Sequence, residues 1–141
     1  MSVNLWAQAK EKPVFTDRET GFYEVIDYDS QKTGLKDLKL SPDAGISTKE
    51  ISSVKKHKNE LDLYVIDIVL TEGGAKKFKK LTKKNIAKPI AIVLNGKLIS
   101  APLAINPIPD GKVQISGNFT EAEIDEIISM AKNNGTSGLS K

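Results

Sequence analysis

Apolar residues recur along this chain with the spacing of strands in some stretches and of helices in others. Residues 61–70 (LDLYVIDIVL) are apolar on both phases of a strand, which predicts a strand covered on one face and partly on the other. Asp67 interrupts the second face, and we expect it where that face reaches solvent, because an unpaired buried carboxylate is costly. Residues 21–27 and 90–94 predict two further strands, the second of them buried.

Three positions favour the start of a helix. Residues 47–50 and 120–123 match the capping box that satisfies the free amides of a first helical turn. The first box predicts a short helix over residues 48–54, and the second predicts a longer helix that ends at residues 134–135. Thr71 is expected to cap a third helix, which runs to about residue 85. The apolar stripe of that third helix consists of Ala75, Phe78, Leu81, Thr82 and Ile86.

Turn residues connect these elements. Residues 95–96 (Asn-Gly) are typical of a type I′ hairpin, so the strand at 90–94 is expected to turn back through residues 97–100. Residues 110–111 (Asp-Gly) mark another turn before a short final strand. Together the elements predict the α+β class, with a mainly antiparallel sheet and two principal helices packed on one of its faces.

The chain is predicted to hold one domain with two tails. We assign residues 20–134 to the domain, residues 1–19 to a flexible N-terminal tail and residues 135–141 to a flexible C-terminal tail. Residues 7–9 match the A-x-A pattern of a signal-peptide cleavage site, so the N-terminal tail is either the remnant of a trimmed signal or a simple tail. No apolar run approaches the ~20 residues of a membrane helix, so we expect no membrane span in this chain.

The composition excludes several kinds of catalytic site. The chain has no cysteine and one histidine, so thiolate metal sites, histidine-based triads and multi-histidine sites cannot form within it. His57 lies in a polar run and is expected to be a solvated loop residue. The carboxylates of residues 121–126 occupy the first turns of a predicted helix, where the helix dipole favours negative charge. We therefore predict no catalytic residue, no metal site and no cofactor.

Positive charge is concentrated in residues 49–88, which carry eleven lysines and five acidic residues, although the net charge of the chain is only +3. The residues that we expect to bind a partner lie on the helix after Thr71: Lys76, Lys77, Lys80, Lys83 and Lys84. They form either a solvated helix face or a surface for an acidic protein partner or an anionic membrane. Because the helix lacks interleaved arginine and aromatic residues, we do not expect nucleic acid as a partner.

Several blocks between residues 70 and 120 agree in order and spacing with one family pattern. The matching fold-motif positions are Thr71, Gly74, Phe78, Asn95, Gly96, Pro102 and Gly117. Over these residues the chain resembles the head part of the large first periplasmic domain of SecD, a membrane subunit of the bacterial protein-export machinery in the SecDF family. The resemblance implies the architecture of that head and a role in gripping emerging polypeptide.

The chain also departs from the family pattern. Ala87 stands where the family commonly has glycine, and Asn95 stands where it often has aspartate. SecD continues into membrane helices with proton-carrying residues, whereas this chain ends at Lys141, so we expect no coupling to a proton gradient within it. It is interpreted either as an excised piece of a larger protein or as a free-standing exported relative, and the A-x-A pattern favours the second.

Three functional hypotheses follow from the sequence. The leading one is a non-enzymatic exported domain, in the periplasm or cell envelope, that binds polypeptide or a protein partner and is linked to protein export. The second is an electrostatic module whose lysine-rich helix binds anionic lipid or an acidic partner. The third is an enzyme with a carboxylate site, which requires Asp67 to cluster with Glu121 or Glu123 around a pocket.

Overall fold

A computed structural model describes residues 5–9, 12–29, 31, 34–104, 106–117 and 119–135. The strands are β1 (Leu5–Ala9), β2 (Val14–Phe15), β3 (Gly21–Ile26), β4 (Lys39–Leu40), β5 (Ile46–Ser47), β6 (Ile51–Lys58), β7 (Tyr64–Leu70), β8 (Ile90–Leu94), β9 (Lys97–Ser100) and β10 (Lys112–Gly117). The helices are α1 (Glu72–Lys84) and α2 (Glu121–Gly135), and 3₁₀ turns span Leu35–Asp37 and Thr48–Glu50.

The strands form two sheets. The four-stranded sheet has the order β1-β10-β7-β6, and the six-stranded sheet has the order β2-β9-β8-β3-β4 with β5 also paired to β3. β1 runs parallel to β10, and the other strand pairs of the described chain are antiparallel. Both helices contribute buried side chains to one main core, namely Phe78, Leu81, Ile124 and Ile127. The predicted α+β class is confirmed, with its antiparallel strands divided between two sheets.

Strand β8 is buried on both faces. All five of its residues have no exposed surface. Ile90, Ile92 and Leu94 belong to the main core, which both sheets and both helices share. Ala91 and Val93 point to the opposite side, into a second cluster that β3 and the first 3₁₀ turn help to form. The buried strand predicted at residues 90–94 is therefore confirmed, and each of its faces has its own covering layer.

The hairpin between β8 and β9 has the predicted geometry. Asn95 and Gly96 have φ of 51° and 71°, the left-handed values that both central residues of a type I′ turn adopt. The Asn95 N–H donates a hydrogen bond to the Thr20 hydroxyl (3.1 Å), and the Pro102 carbonyl accepts one from the Ile90 N–H (3.0 Å). Gly117, the last of the fold-motif positions, is buried at the end of β10.

Helix α1 is fixed by its cap and by one aromatic contact. The Thr71 hydroxyl accepts a hydrogen bond from the Gly74 N–H (3.0 Å), which confirms the predicted cap. Phe78 is fully buried and meets Phe22 of β3 edge to face, with ring centroids 5.4 Å apart. Ile86, by contrast, is 40% exposed and lies beyond the end of the helix, so it does not extend the apolar stripe.

The short helix predicted over residues 48–54 is wrong. The capping box forms as expected between Ser47 and Glu50, but the helix stops after the 3₁₀ turn, and residues from Ile51 onward form β6. An isolated helix of this length has almost no intrinsic stability, whereas the edge of β7 offers a ladder of hydrogen bonds across to Lys58. This distant pairing therefore overrides the local signal.

The segment assigned to an N-terminal tail contains two strands. Leu5–Ala9 pairs in parallel with β10, and Val14–Phe15 pairs with β9, so both add to sheet edges. Both strands are short. The partner of β1 lies about a hundred residues further along the chain, and the partner of β2 lies about eighty residues further. No local pattern indicates such pairing. The C-terminal tail predicted from residue 135 begins at the last residue of α2, and residues 136–141 lie outside the described part of the chain.

Glu50 links the second 3₁₀ turn to α1. Its carboxylate accepts hydrogen bonds from the Ser47 N–H (2.8 Å) and the Ser47 hydroxyl (3.0 Å) and forms an ion pair with Lys77. Burial raises the pKa of Glu50, but the hydrogen bonds from Lys77 and Ser47 lower it more, so its pKa lies below the ordinary 4.5. The charged form of Glu50 thus stabilises the folded state.

The two adjacent glycines at the start of α1 provide a matched test of its packing. A Cβ at Gly74 would lie 2.7 Å from the Glu50 carbonyl oxygen, whereas a Cβ at Gly73 would meet nothing within 4 Å. We expect Gly74→Ala to lower the free energy of unfolding by about 1–3 kcal/mol. We expect Gly73→Ala to be neutral or to raise it by up to about 1 kcal/mol, because alanine favours helix. Urea unfolding of both variants measures this, and equal effects would contradict the close approach.

The Glu50 contacts predict a pH dependence of stability. Because the folded-state pKa is depressed, the stabilisation is present above the ordinary pKa of 4.5 and is lost as the pH falls through the folded value. We expect Glu50→Gln to cost about 1–2 kcal/mol at neutral pH and to flatten part of the acid-side decline. Urea unfolding at a series of pH values measures this, with Glu60→Gln in the exposed β6–β7 loop as the control. A parallel decline in wild type and Glu50→Gln would contradict it.

Candidate binding surfaces

The solvent side of α1 lies opposite its buried face. The buried residues of the helix are Gly74, Phe78, Leu81 and Thr82. Residues that are three, four and seven positions apart share one face of a helix. One such set is fully on the solvent side, and we call it the lysine stripe: Lys76, Lys79, Lys80 and Lys83, all exposed. The stripe is therefore a continuous row of positive charge along the helix.

The other lysines of α1 are engaged in ion pairs. Lys77 pairs with Glu50, and the Lys84 ammonium lies 3.2 Å from a Glu24 carboxylate oxygen of β3. Within the described residues, no carboxylate pairs with the lysine stripe. Of the five lysines predicted to bind a partner, three thus lie on the stripe, and two tie the helix to neighbouring elements. Lys79 also belongs to the stripe, although it is not among those five. Its spacing of three residues from Lys76 in the sequence indicates that both lie on the same face of the helix.

A second candidate surface begins with an apolar hollow beside the edge strand β4. Its lining residues are Tyr28, Leu38, Pro89, Ala101 and Leu103, and it encloses about 110 Å³. Leu103 is half exposed. The segment that carries it is held against the start of β8, because Leu103 bridges to Pro89 and the neighbouring Pro102 and Ala104 carbonyls accept backbone hydrogen bonds. The shape of this hollow is thus determined by backbone hydrogen bonds as well as by its side chains.

A second hollow of about 190 Å³ shares Tyr28 and Leu38 with the first and extends it along β3 and β4. It adds the apolar side chain of Ile26, which is 44% exposed, and a charged rim. The rim consists of Asp27, Asp29, Asp37 and Lys39. We refer to both hollows together as the apolar groove. No pattern in the sequence indicates this groove, because it joins a segment interpreted as loop to residues about fifty or more positions away.

His57 does not lie in a loop as predicted. It is in β6, where its ring nitrogen Nδ1 contacts the Asp67 carboxylate of the neighbouring strand β7. The Gln114 side-chain amide of β10 donates to the other oxygen of the same carboxylate (2.8 Å). Asp67 is 27% exposed, so it is neither fully solvated nor buried without partners. These three side chains form a polar row across one face of the four-stranded sheet, and its members came together only through strand pairing.

The carboxylates of α2 have structural partners. Lys56 of β6 pairs with Glu121 (3.2 Å) and with Asp125, and these contacts, with the hydrogen bond to Asp125 as the largest, raise the pKa of Lys56. Glu123 accepts a hydrogen bond from the Thr120 N–H (2.9 Å), which lowers the pKa of Glu123. The second predicted capping box is thereby confirmed.

A carboxylate cluster around Asp67 does not form with the residues of α2. Lys56 and Lys55 are neighbours on β6, and side chains of neighbouring strand residues point to opposite faces. Glu121 contacts Lys56, whereas Asp67 lies across from Lys55 in the strand register. The sheet therefore separates the two carboxylates. No group of three or more His, Cys, Asp or Glu side chains among the described residues could hold a metal ion.

Comparisons with known proteins identify relatives of most of this chain. The family model described as SecDF, P1 head subdomain matches residues 23–133. The chain is 31% identical over 97 residues to protein translocase subunit SecD of Acidaminococcus fermentans, covering 68% of this chain and 23% of that protein. It is 35% identical over 93 residues to SecD of Dictyoglomus turgidum, covering 64% and 23%. The chain thus spans less than a quarter of the length of these curated relatives.

Solved structures show the same fold. A structure of SecDF, presented as a membrane component that enhances protein export, matches with a TM-score of 0.61 and 20% identity over 85% of this chain and 60% of that one. A crystal structure of SecDF from Thermus thermophilus, called a translocon-associated membrane protein, matches with a TM-score of 0.53 and 19% identity over 90% and 24%. Neither helix described here is long and apolar enough to cross a bilayer.

Proposed function

Because this chain belongs to the SecDF P1 head subdomain family, we propose that it is a non-enzymatic binding domain of the protein-export apparatus in the periplasm or cell envelope. Its ligand is polypeptide or a protein partner. The relatives are translocase subunits several times longer than this chain, so the proposal concerns the role of the head and not that of the complete relative.

The observation that carries polypeptide binding is the apolar groove. Leu103 lines one of its hollows and Ile26 lines the other, and both side chains are exposed. An apolar patch with a polar rim is typical of an interaction site. A cavity of ~150 Å³ accommodates a benzene ring, so a hollow of about 110 Å³ accepts one small apolar side chain of a bound polypeptide.

The groove favours weak and sequence-tolerant binding. Its apolar hollow beside Leu103 attracts side chains by burial, which is non-directional. The rim aspartates add attraction for basic residues at the edge of the second hollow. Covering the exposed half of one leucine contributes on the order of 1 kcal/mol, so a bound polypeptide needs several such contacts along the groove, and its binding stays weak. Such reversible binding suits a domain that contacts many different exported chains.

The lysine stripe supports a second candidate function, the binding of an anionic surface. Its four residues span ~10 Å along the helix axis, and their ammonium groups have no carboxylate partners in the described chain. A lysine close to an anionic bilayer contributes roughly 1 kcal/mol of attraction. The stripe is therefore able to orient the head against an anionic membrane, whereas Lys77 and Lys84 remain engaged with Glu50 and Glu24.

Polypeptide binding at the groove is tested by amide chemical shifts during titration with a synthetic, unfolded polypeptide of mixed apolar and polar residues. We expect shifts around Leu103 and about a fivefold loss of affinity in Leu103→Ser, because the variant removes roughly 1 kcal/mol of apolar burial. Phe15→Ser is the control, since Phe15 is 83% exposed and lies on β2 at the opposite edge of the same sheet. Absence of shifts at millimolar polypeptide would reject the proposal.

Surface binding by the lysine stripe is tested by co-sedimentation with vesicles that contain anionic lipid. We expect bound protein to decrease steeply with added salt, because the Debye length shrinks to ~3 Å at 1 M. The variant Lys76→Glu, Lys80→Glu, Lys83→Glu should abolish binding. A control with the same change in charge is Lys36→Glu, Lys39→Glu, Lys112→Glu, at exposed positions on other elements. Equal losses in both variants would leave only a net-charge effect and contradict a site on α1.

A further inference from the structure

The four-stranded sheet ends in an open edge at β6. β6 has eight residues and is paired only with β7 within the described chain. The other edge strands are shorter: β1 has five residues, and β2 and β4 have two each. A long edge strand offers unpaired backbone donors and acceptors to another chain. The edge of β6 is therefore the largest such template in the described structure.

The hydrogen bonds of the hairpin show which backbone groups of β6 are free. The Asn59 N–H donates to the Leu63 carbonyl (2.9 Å) and closes the hairpin between β6 and β7. The N–H and C=O of one strand residue point to the same side, and the side alternates along the strand. Because Asn59 bonds to β7, the alternate residues His57 and Lys55 also direct their backbone N–H and C=O groups toward β7.

The intervening residues Lys56 and Lys58 direct their backbone groups away from β7. Both residues are exposed, and no backbone hydrogen bond within the described chain reaches them. Val54 would continue this series, but it is only 2% exposed and lies where α2 covers the strand. The accessible part of the edge is thus the stretch 55–58, which we call the open edge. It presents two free N–H groups and two free carbonyls.

We propose that the open edge captures an extended, acidic polypeptide segment by strand addition. Backbone pairing supplies affinity without regard to side chains, and the flanking side chains select the partner. Lys55 and Lys58 carry no ion pair in the described chain, whereas Lys56 is engaged with α2. The Lys58 ammonium lies 5.2 Å from the centroid of the Tyr64 ring, a contact that leaves its charge uncompensated. Cross-strand pairs of opposite charge are favourable and pairs of like charge are not. Glutamate or aspartate opposite Lys55 and Lys58 therefore stabilises the added strand.

The same charges disfavour a second copy of this chain as the occupant. Pairing two open edges brings the lysines of both copies together, since three of the four residues are lysine. Lysine on an edge strand is a known protection against self-association. The exposed loop that follows also presents Leu61, which is 76% exposed, so an added strand that continues past residue 58 meets an apolar side chain. The inference shares with the proposed function the premise that polypeptide is the ligand, but it assigns a different surface.

Lys58→Pro tests the open edge directly. Proline at this position removes an outward N–H without removing a bond to β7, and it is tolerated at the end of an edge strand. The probe is a short capped peptide of alternating threonine, valine and glutamate, titrated while amide shifts are recorded. We expect Lys58→Pro to weaken binding about tenfold. The matched control Lys58→Ala, which removes the same side chain but keeps the N–H, should lose only about threefold.

A change in the peptide avoids any effect on folding of the domain. N-methylation at every peptide bond of the probe removes its backbone donors, and we expect it to abolish binding to the unchanged protein. Replacing glutamate by lysine in the probe should weaken binding at low salt, with the difference disappearing at high salt.

The outcomes separate this inference from the proposed function. Shifts in β6 together with losses in Lys58→Pro and with the methylated probe support strand addition. Polypeptide binding with shifts at the groove only, and equal affinity for the methylated probe, overturns strand addition and leaves the proposed function standing. Absence of binding by every polypeptide rejects both. Self-association of the domain that Lys58→Pro abolishes would identify a second copy as the occupant and overturn the acidic-segment proposal.

Discussion

Strand β8 imposes the main constraint on this fold, because both of its faces are apolar and must be kept from water. Ile90, Ile92 and Leu94 require one covering layer, and Ala91 and Val93 require another. Both helices and the four-stranded sheet cover the first face. The segment that follows β3 covers the second. Removal of apolar surface from water is the dominant favourable contribution to folding, so the positions of α1, α2 and residues 34–45 follow from this one strand.

The elements that could be predicted from the sequence are those whose signals are local. The β8 strand, the Asn95-Gly96 hairpin and the helix capped by Thr71 each carry a periodicity or turn signature within a few residues. The capping box at Thr120 belongs to the same group. In each case the local preference and the final packing agree, which is the condition under which sequence patterns succeed.

The remaining features depend on residues that are far apart in the chain. The capping box at Ser47 and Glu50 predicts a helix and does form, but the residues after it pair with β7 and form β6. The polar run around His57 likewise predicts a loop, but the same pairing places His57 in β6, where it contacts Asp67. The apolar groove joins Tyr28 to Leu103, and β1 joins β10. Periodicity contains no information about such partners.

The same covering layers decide which surfaces are left for other molecules. On α1, burial of Phe78 places the lysine stripe on the solvent side of the helix. Lys77 and Lys84, beside the stripe, form ion pairs with neighbouring elements. At the end of the six-stranded sheet, Leu103 remains half exposed beside the groove. At β6, α2 covers Val54 and pairs with the Lys56 side chain, but the outward backbone groups of Lys56 and Lys58 have no partner in the described chain. The described surface therefore presents an apolar groove, a row of lysines without carboxylate partners and an unpaired strand edge.

Amide hydrogen exchange along β6 tests most directly whether the outward backbone groups of residues 55–58 are free to pair with a polypeptide. In the free protein, the account predicts slow exchange at Lys55 and His57, which bond to β7, and fast exchange at Lys56 and Lys58. With a saturating acidic peptide, the amides of Lys56 and Lys58 should become protected while those of Lys55 and His57 change little. Equal exchange at all four amides in the free protein, or no added protection at Lys56 and Lys58 with bound peptide, would contradict the account.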